Sequence, residues 1–556
     1  MKKNIKKYLQ DNKNTFFVLF FCLIIVVQII AVVHFAIQKD GFFGDENYSF
    51  NLANSYYSPF VGHVSKSNIN KVLNSKFWIT RVNVTNNHRF IYRSVFYNQS
   101  KDVHPPFYYV VLHTICSIFV SPSLNKWQGI ILNIIFFVIT QIFLAKTSNK
   151  VFSNRWMTAA VLIFFGFSWG NINNVLFIRM YAMLTMWGII SFYLHLVLLE
   201  KKTIKNLILI LLVGYCGILT QYYFIFFQFF LSLCTVVYLI IDSKSTKLCL
   251  EYILGYILVL GLSVITFPAM IPQMLGKTGT QGISNFQKAT RLEYWLKIKD
   301  YINIIKFDLF GNRLKVTFLI ILGLLLINLL IIVREKHKKS KLFINKKNNI
   351  QNLDLTIGYF AIIASIIIII GVFAIVIKSS LYIATRYLVI LYPIASLVFV
   401  YIFMSLWNKI IYTPKISFVI LFLIVLLFCK NTYNIENTFL YNRNYPRVNE
   451  LIQKNKQNMT LVIYEGNSGS ADWWCSVNHL QYLTQAKYSC IYSGNTKGLD
   501  TVISGDRTQK LLICFHNGED EESISNIIKE VKRQNGYNHD SLIDDYCGQK
   551  LYYLEK

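Results

Sequence analysis

Five short groups in the 556-residue chain carry side chains able to do chemistry. They are Asp45-Glu46, Asp102-Val103-His104-Pro105-Pro106, Arg179-Met180-Tyr181, Thr220-Gln221-Tyr222-Tyr223 and Thr385-Arg386-Tyr387. Adjacent carboxylates offer a general base and a second acceptor for a metal, a hydroxyl or an amine. Arginines bind phosphate through bidentate, charge-assisted hydrogen bonds. The prolines after His104 end a loop and aim the following helix. Phe107, Tyr108 and Tyr109 beside them suit a lipid headgroup region. A base, a phosphate clamp and an apolar groove fit a lipid-phosphate donor better than a soluble nucleotide sugar, and no Gly-rich phosphate loop supports the latter.

The elements that must position these groups are membrane helices. The chain is 54% hydrophobic and only 15% charged, outside the usual range of soluble proteins. Its apolar residues are blocked: 16–36, 207–219, 318–333 and 357–377 contain no Asp, Glu, Lys or Arg. A bilayer core of roughly 30 Å needs about 20 apolar helical residues. The net charge of +28 could mean nucleic-acid binding. No basic helix or zinc-finger spacing accompanies it, and much of the excess lies in short loops between apolar blocks, where the positive-inside rule explains it. Nucleic acid is therefore not an expected partner; membrane lipids are.

The basic start and the apolar stretch after it read as an uncleaved anchor with a cytoplasmic N-terminus, since the stretch is too long for a signal peptide. Eleven spans are expected, at about 15–37, 127–145, 157–176, 180–199, 206–221, 223–241, 249–268, 314–333, 355–377, 387–406 and 416–429. The apolar run 107–120 is too short to cross and reads as juxtamembrane or re-entrant. With the first span running outward, the loops KTSNK, EKKTIK, DSKSTK and REKHKK all fall inside, as the positive-inside rule requires. The five chemical groups then all fall outside. Ionisable residues at membrane depth are costly and usually have a partner or a role, so their gathering on one side points to a site at the outer interface.

The grouping expected is a transmembrane domain over 1–429, with a first external loop 38–106 containing juxtamembrane helices, and an extracytoplasmic α/β domain over 430–556. In the tail, MTLVIYEG, LLICFHN and KLYYLEK read as strands, and WWCSVNHLQYL and EESISNIIKEVKRQ as helices. Cys475, Cys490, Cys514 and Cys547 lie there and are available for disulfides if the tail is extracytoplasmic. The other six cysteines lie in or beside apolar blocks, as packing residues do. The abundance of Lys, Asn and Ile fits an AT-rich bacterial genome.

Gly44-Asp45-Glu46, the run DVHPPFYYVVLH from Asp102, Arg179-Met180-Tyr181 and Arg386-Tyr387 occur in that order over residues 15–400. In this the chain resembles the polyprenyl-phosphate-sugar-dependent glycosyltransferases of the C-type superfold, nearest the bacterial protein O-mannosyltransferase and aminoarabinose-transferase group. The resemblance implies a polytopic α-helical fold and an inverting transfer from a polyprenyl-phosphate-linked sugar donor, on the external face, to a cell-envelope glycan, lipid or protein. It implies Asp45 as the base that deprotonates the acceptor hydroxyl, with Glu46 holding the acceptor or its partner group. Asp102 and His104 would shape the site near the carrier phosphate. Arg179 and Arg386 would bind that phosphate, supported by Tyr181 and Tyr387. The family often has His where this chain has Gln221, which removes a titratable group there. Relatives of the O-mannosyl type work without a metal and oligosaccharyltransferases need one; the expectation here is no cofactor, with a divalent metal as the alternative.

Blander readings stand beside these. Asp45-Glu46 also reads as a solvated pair, His104 as a helix cap, and Arg179 and Arg386 as snorkelling interfacial arginines. Trp473-Trp474 reads as core or membrane-contact surface, with sugar stacking as the alternative. At the level of function the rivals are a transporter or lipid flippase and a non-catalytic envelope scaffold. The first predicts mid-helix charges and an inverted repeat, and neither is visible in the sequence.

Overall fold

The fold is known from a computed structural model. The structure describes residues 2–39, 41–241, 246–276, 291–339, 352–380, 383–411, 413–434, 445–454, 459–464, 487–494, 499–503, 509–515, 519–546 and 549–556. By packing, the chain forms two compact units: 1–37, 102–108 and 130–437 in one, and 38–101, 109–129 and 438–556 in the other.

The first unit is a helical bundle. Nine helices among the described residues are long and apolar enough to cross a bilayer, from Asn14–Gln38 to Pro414–Thr432. A bent pair, Arg155–Gly166 and Trp169–Leu176, is apolar enough to cross as one broken span and turns by 57° at its break. Ile204–Ile218 adds a shorter apolar helix at the fifth expected position. The third expected span, drawn from hydropathy as one helix over 157–176, is thus corrected to two. Ser168 explains the break: its hydroxyl donates to Phe165 O at 2.6 Å and accepts from Asn171 N, capping the second helix. The Asn171 side chain returns a hydrogen bond to Gly166 O. Backbone groups freed at membrane depth are tolerated when side chains re-satisfy them in this way.

Gly166 also meets a polar knot. Gln28 Nε2 donates to Leu162 O at 2.8 Å, and Gln141 Nε2 to Gln28 Oε1 at 2.7 Å. A Cβ on Gly166 would lie 2.2 Å from the Gln28 amide, so a larger residue there would have to displace the two glutamine side chains from these hydrogen bonds. At one end of the bundle Arg155 bonds Asn14, and Lys150 pairs with Glu200. KTSNK, expected as a loop, lies inside helix Lys126–Phe152; it and the start of EKKTIK share an end with the base of the first span, as the charge pattern requires. Most of DSKSTK and of REKHKKSKLFINKK lies outside the described residues.

The second unit is built on a six-stranded sheet: β1 Leu73–Asn74, β2 Met459–Tyr464, β3 Lys487–Tyr492, β4 Lys510–Phe515, β5 His539–Tyr546 and β6 Gln549–Glu555, in the order β1-β3-β2-β4-β6-β5. β2 is parallel to both β3 and β4, and the remaining pairs are antiparallel. Every residue of β2 is buried, as befits a central strand covered on both faces. Helix Glu521–Asn535 packs Ile524, Ile527, Ile528 and Val531 into the sheet's core. Each is worth about 1.5–3 kcal/mol on full burial. Asp520 caps its start by accepting from Ser523 N at 2.7 Å, and Gly536 ends it at φ +69°, where a side chain would strain the backbone.

Cys490 and Cys514 are free thiols. Val462 on β2 stands between them in register, which sets their Cα atoms roughly 9.5 Å apart by strand spacing, beyond the reach of a disulfide. Cys475, Cys547 and the WWCSVNHLQYL helix with Trp473-Trp474 lie outside the described residues.

Candidate active site

Four of the five chemical groups meet at one end of the first unit. His104 is half-buried in the loop before helix Phe107–Ile118. Its surroundings hold its pKa well below the ordinary value of 6.5, first through burial and then through the charges of Arg179 and Arg386. His104 is therefore neutral at pH 7, and the two guanidiniums that expectation assigned to phosphate binding converge on it. The start of its helix is tied to the fifth apolar helix, because Phe107 N donates to Leu219 O at 2.9 Å.

Arg179 is 5% exposed and sits in the turn between Trp169–Leu176 and Tyr181–Glu200. Asn133 pins that turn by donating to Val175 O and Phe177 O at 3.0 and 2.8 Å. Tyr181 is buried and stacks on Phe177 with centroids 6.0 Å apart. Arg386 and Tyr387 occupy a single 3-10 turn, Thr385–Tyr387. The guanidinium stands 5.5 Å from the Tyr387 ring centroid, a cation–π contact. Tyr387 in turn packs against Tyr223, which hydrogen-bonds Ser379 at 3.0 Å.

Asp102 is held through its backbone. Gln273 Nε2 donates to Asp102 O at 2.7 Å, and the Tyr222 hydroxyl donates to Gln273 Oε1 at 2.6 Å. Burial, and then the Asp102 carboxylate, push the Tyr222 phenol up, so Tyr222 is a hydrogen-bond donor and not a base. Gln221 turns its side chain to Tyr222 N at 2.6 Å. Sequence reasoning missed Gln273. It lies in the five-residue helix Met270–Met274, where a polar residue in an apolar context was the only available signal.

Asp45 and Glu46 belong to the second unit, in the first turn of helix Gly44–Asn54. There the free N–H groups and the helix dipole favour negative charge. Glu46 is fully buried and accepts from Phe43 N at 2.8 Å and from Lys39 Nζ at 2.6 Å. Lys39, itself buried, is a partner that sequence reasoning missed. Lys126 Nζ donates to Lys39 O at 2.7 Å and ties that segment down. Asp45 is half-exposed in the same turn. Among the described residues no three His, Cys, Asp or Glu side chains group as metal ligands.

Fold and site define a multi-pass membrane protein with a partly buried cationic centre at one end of its bundle and a small mixed-sheet unit. No protein-family model matches the chain, and no curated protein matches it in sequence. Among solved structures it shares its fold with ArnT from Cupriavidus metallidurans in the apo state, at 10% identity and a TM-score of 0.50, over 97% of this chain and 98% of that one. ArnT bound to undecaprenyl phosphate aligns over 96% of this chain and 97% of that chain, at 9% identity and a TM-score of 0.49. At such identity the likeness is one of fold alone, a polytopic helical bundle with a small sheet-bearing region, as expected from the sequence.

Proposed function

We propose that this protein is a membrane glycosyltransferase that moves a sugar from a polyprenyl-phosphate donor to an extracytoplasmic acceptor with inversion. The observation that carries the reading is the convergence of Arg179 and Arg386 on His104. Two fixed cations at the end of a membrane bundle suit a phosphate that gains charge as the sugar leaves, and such preorganised charge lowers the barrier. Neutral His104 adds a hydrogen-bonding group without competing for the anion. Asp102, Tyr181 and Tyr387 support this centre.

Asp45 is the general base that takes the acceptor's proton, a role typically worth roughly 10²–10⁴-fold in rate. Glu46, expected to hold the acceptor, is fully buried and locked to Lys39, and its proposed role is instead to fix the turn that presents Asp45. The acceptor is a cell-envelope glycan, lipid or protein hydroxyl. The N-terminus is cytoplasmic, and residues 430–556 are an extracytoplasmic domain. A transporter would carry its charges midway along its helices, which speaks for the transferase.

The test compares wild type with Asp45→Asn in matched null-mutant cells, with envelope glycans and glycoproteins analysed by mass spectrometry. A sugar mass present with wild type and missing with Asp45→Asn is the expected outcome. Full transfer by the variant at equal membrane level would sink the mechanism.

A further inference from the structure

Arg386 stands on one 3-10 turn, too short to fix a long guanidinium arm by itself. What braces the turn is helix Arg291–Phe310, which belongs to none of the expected spans. Along it, Lys297 Nζ donates to Ser380 O at 2.8 Å. Tyr301, fully buried, sets its hydroxyl against Ser380 and Ala384. Asp308, 4% exposed, accepts from the Tyr392 hydroxyl at 2.5 Å, and the Thr385 hydroxyl lies near enough to favour its charged form. Residues 297, 301 and 308 recur at helical spacing and so share one face. That face lies along the chain on both sides of Arg386.

Asp308 reaches the other arginine's element as well. A Cβ on Gly170 would come within 2.8 Å of Asp308 Cβ and 2.4 Å of the Tyr392 ring. Gly170 belongs to Trp169–Leu176, the helix that runs into the Arg179 turn. One buried carboxylate thus packs against the helix that leads into Arg179 and bonds the helix that follows Arg386. A buried carboxylate is costly, and packing alone would be served better by an apolar residue of the same size. Its hydrogen bond comes from the helix after the turn and a second hydroxyl, that of Thr385, stands near it in the turn, which is the arrangement of a brace.

We infer that Asp308 is a positioning residue that holds the Arg179 and Arg386 elements in one register, so that both guanidiniums face a single phosphate. The phosphate part rests on the function proposed above; the brace does not. The experiment uses the full chain in lipid nanodiscs and two readouts. The first is hydrogen exchange in the turn, where Tyr387 N bonds Ala384 O and Leu388 N bonds Thr385 O. The second is binding of undecaprenyl phosphate. Asp308→Asn should speed exchange at 384–388 and leave Tyr181–Glu200 unchanged. It should weaken undecaprenyl phosphate binding about tenfold, and add less than about twofold to the loss caused by Arg386→Ala, since residues acting through one another are non-additive. Thr385→Val, which keeps the Asp308–Tyr392 bond and removes only the turn's hydroxyl, should reproduce the exchange effect if Asp308→Asn folds poorly. Unchanged exchange in both variants would overturn the brace. Fully multiplicative binding losses would overturn positioning. A wild type that does not bind undecaprenyl phosphate would instead defeat the donor reading, while the exchange result would still decide the brace.

Discussion

His104 illustrates how a residue's chemistry is set by what surrounds it. Burial first, then Arg179 and Arg386, disfavour its charged form. A histidine whose folded pKa is depressed contributes stability that is complete above the unfolded value near 6.5 and is lost as pH falls toward the folded value. Thermal unfolding of the wild type between pH 8 and 5 should therefore show falling stability on the acid side, and His104→Gln should flatten that limb. An unchanged acid limb in the variant would remove His104 from the centre. The residue types of the site were legible: Asp102, His104, Arg179, Tyr181, Arg386 and Tyr387 were picked out by chemistry and order, and the structure brings them to one end of the bundle. Their supports were not. Gln273 and Asp308 follow no spacing rule, because each acts through a partner distant in sequence, and Lys39 reaches Glu46 across the break between two helices, where no periodicity relates them. Asp45 shows the limit from the other side, since its type was evident and its function awaits the transfer assay.

Elements were legible where composition decides them. Apolar blocks of about 20 residues give spans almost by arithmetic, and the short run 107–120 ends as the twelve-residue helix Phe107–Ile118, too short to cross. The broken third span was hidden because hydropathy registers how apolar a stretch is and not whether its backbone is continuous. Gly166, Ser168 and Asn171 make the break. Since a Cβ at Gly166 would collide with the Gln28 and Gln141 amides, Gly166→Val should displace them, break their hydrogen bonds and destabilise the bundle by about 1–3 kcal/mol, the usual range for overpacking. Thermal aggregation of the detergent-solubilised protein would register it, and an unaltered midpoint would contradict the close approach. In the tail, the strands with dense apolar runs were found, while β3 and β5 were missed. β5 carries Asp540, Asp544 and Asp545, residues depleted from strands in general but suited to an edge, where charge discourages further pairing.

At the scale of the molecule, the parity of the spans is the strongest inference drawn from sequence. Asn14, Lys150, Arg155 and Glu200 meet at one end of the bundle, while the candidate site near 102–106, 179, 219–223 and 385–387 gathers at the other, at the opposite terminus of helix Tyr181–Glu200. Reporter fusions should therefore place residues 146–155 in the cytoplasm, and the 269–313 segment and the C-terminus outside. A C-terminal fusion reporting cytoplasm would invert the site. The grouping of the chain was harder to see, because β1 is only two residues long and pairs Leu73 with Tyr488. Those partners are separated by roughly 400 residues, so the pairing is of very high contact order. Ribosomes add about 5–20 residues per second, so the first loop emerges something like 20–80 s before the strand that completes its sheet. For that interval the turn bearing Asp45 belongs to a half-built unit, and a chain cut short anywhere in its membrane region never acquires the rest. Synthesis of the last hundred-odd residues thus acts as a final checkpoint on the segment that carries the proposed base.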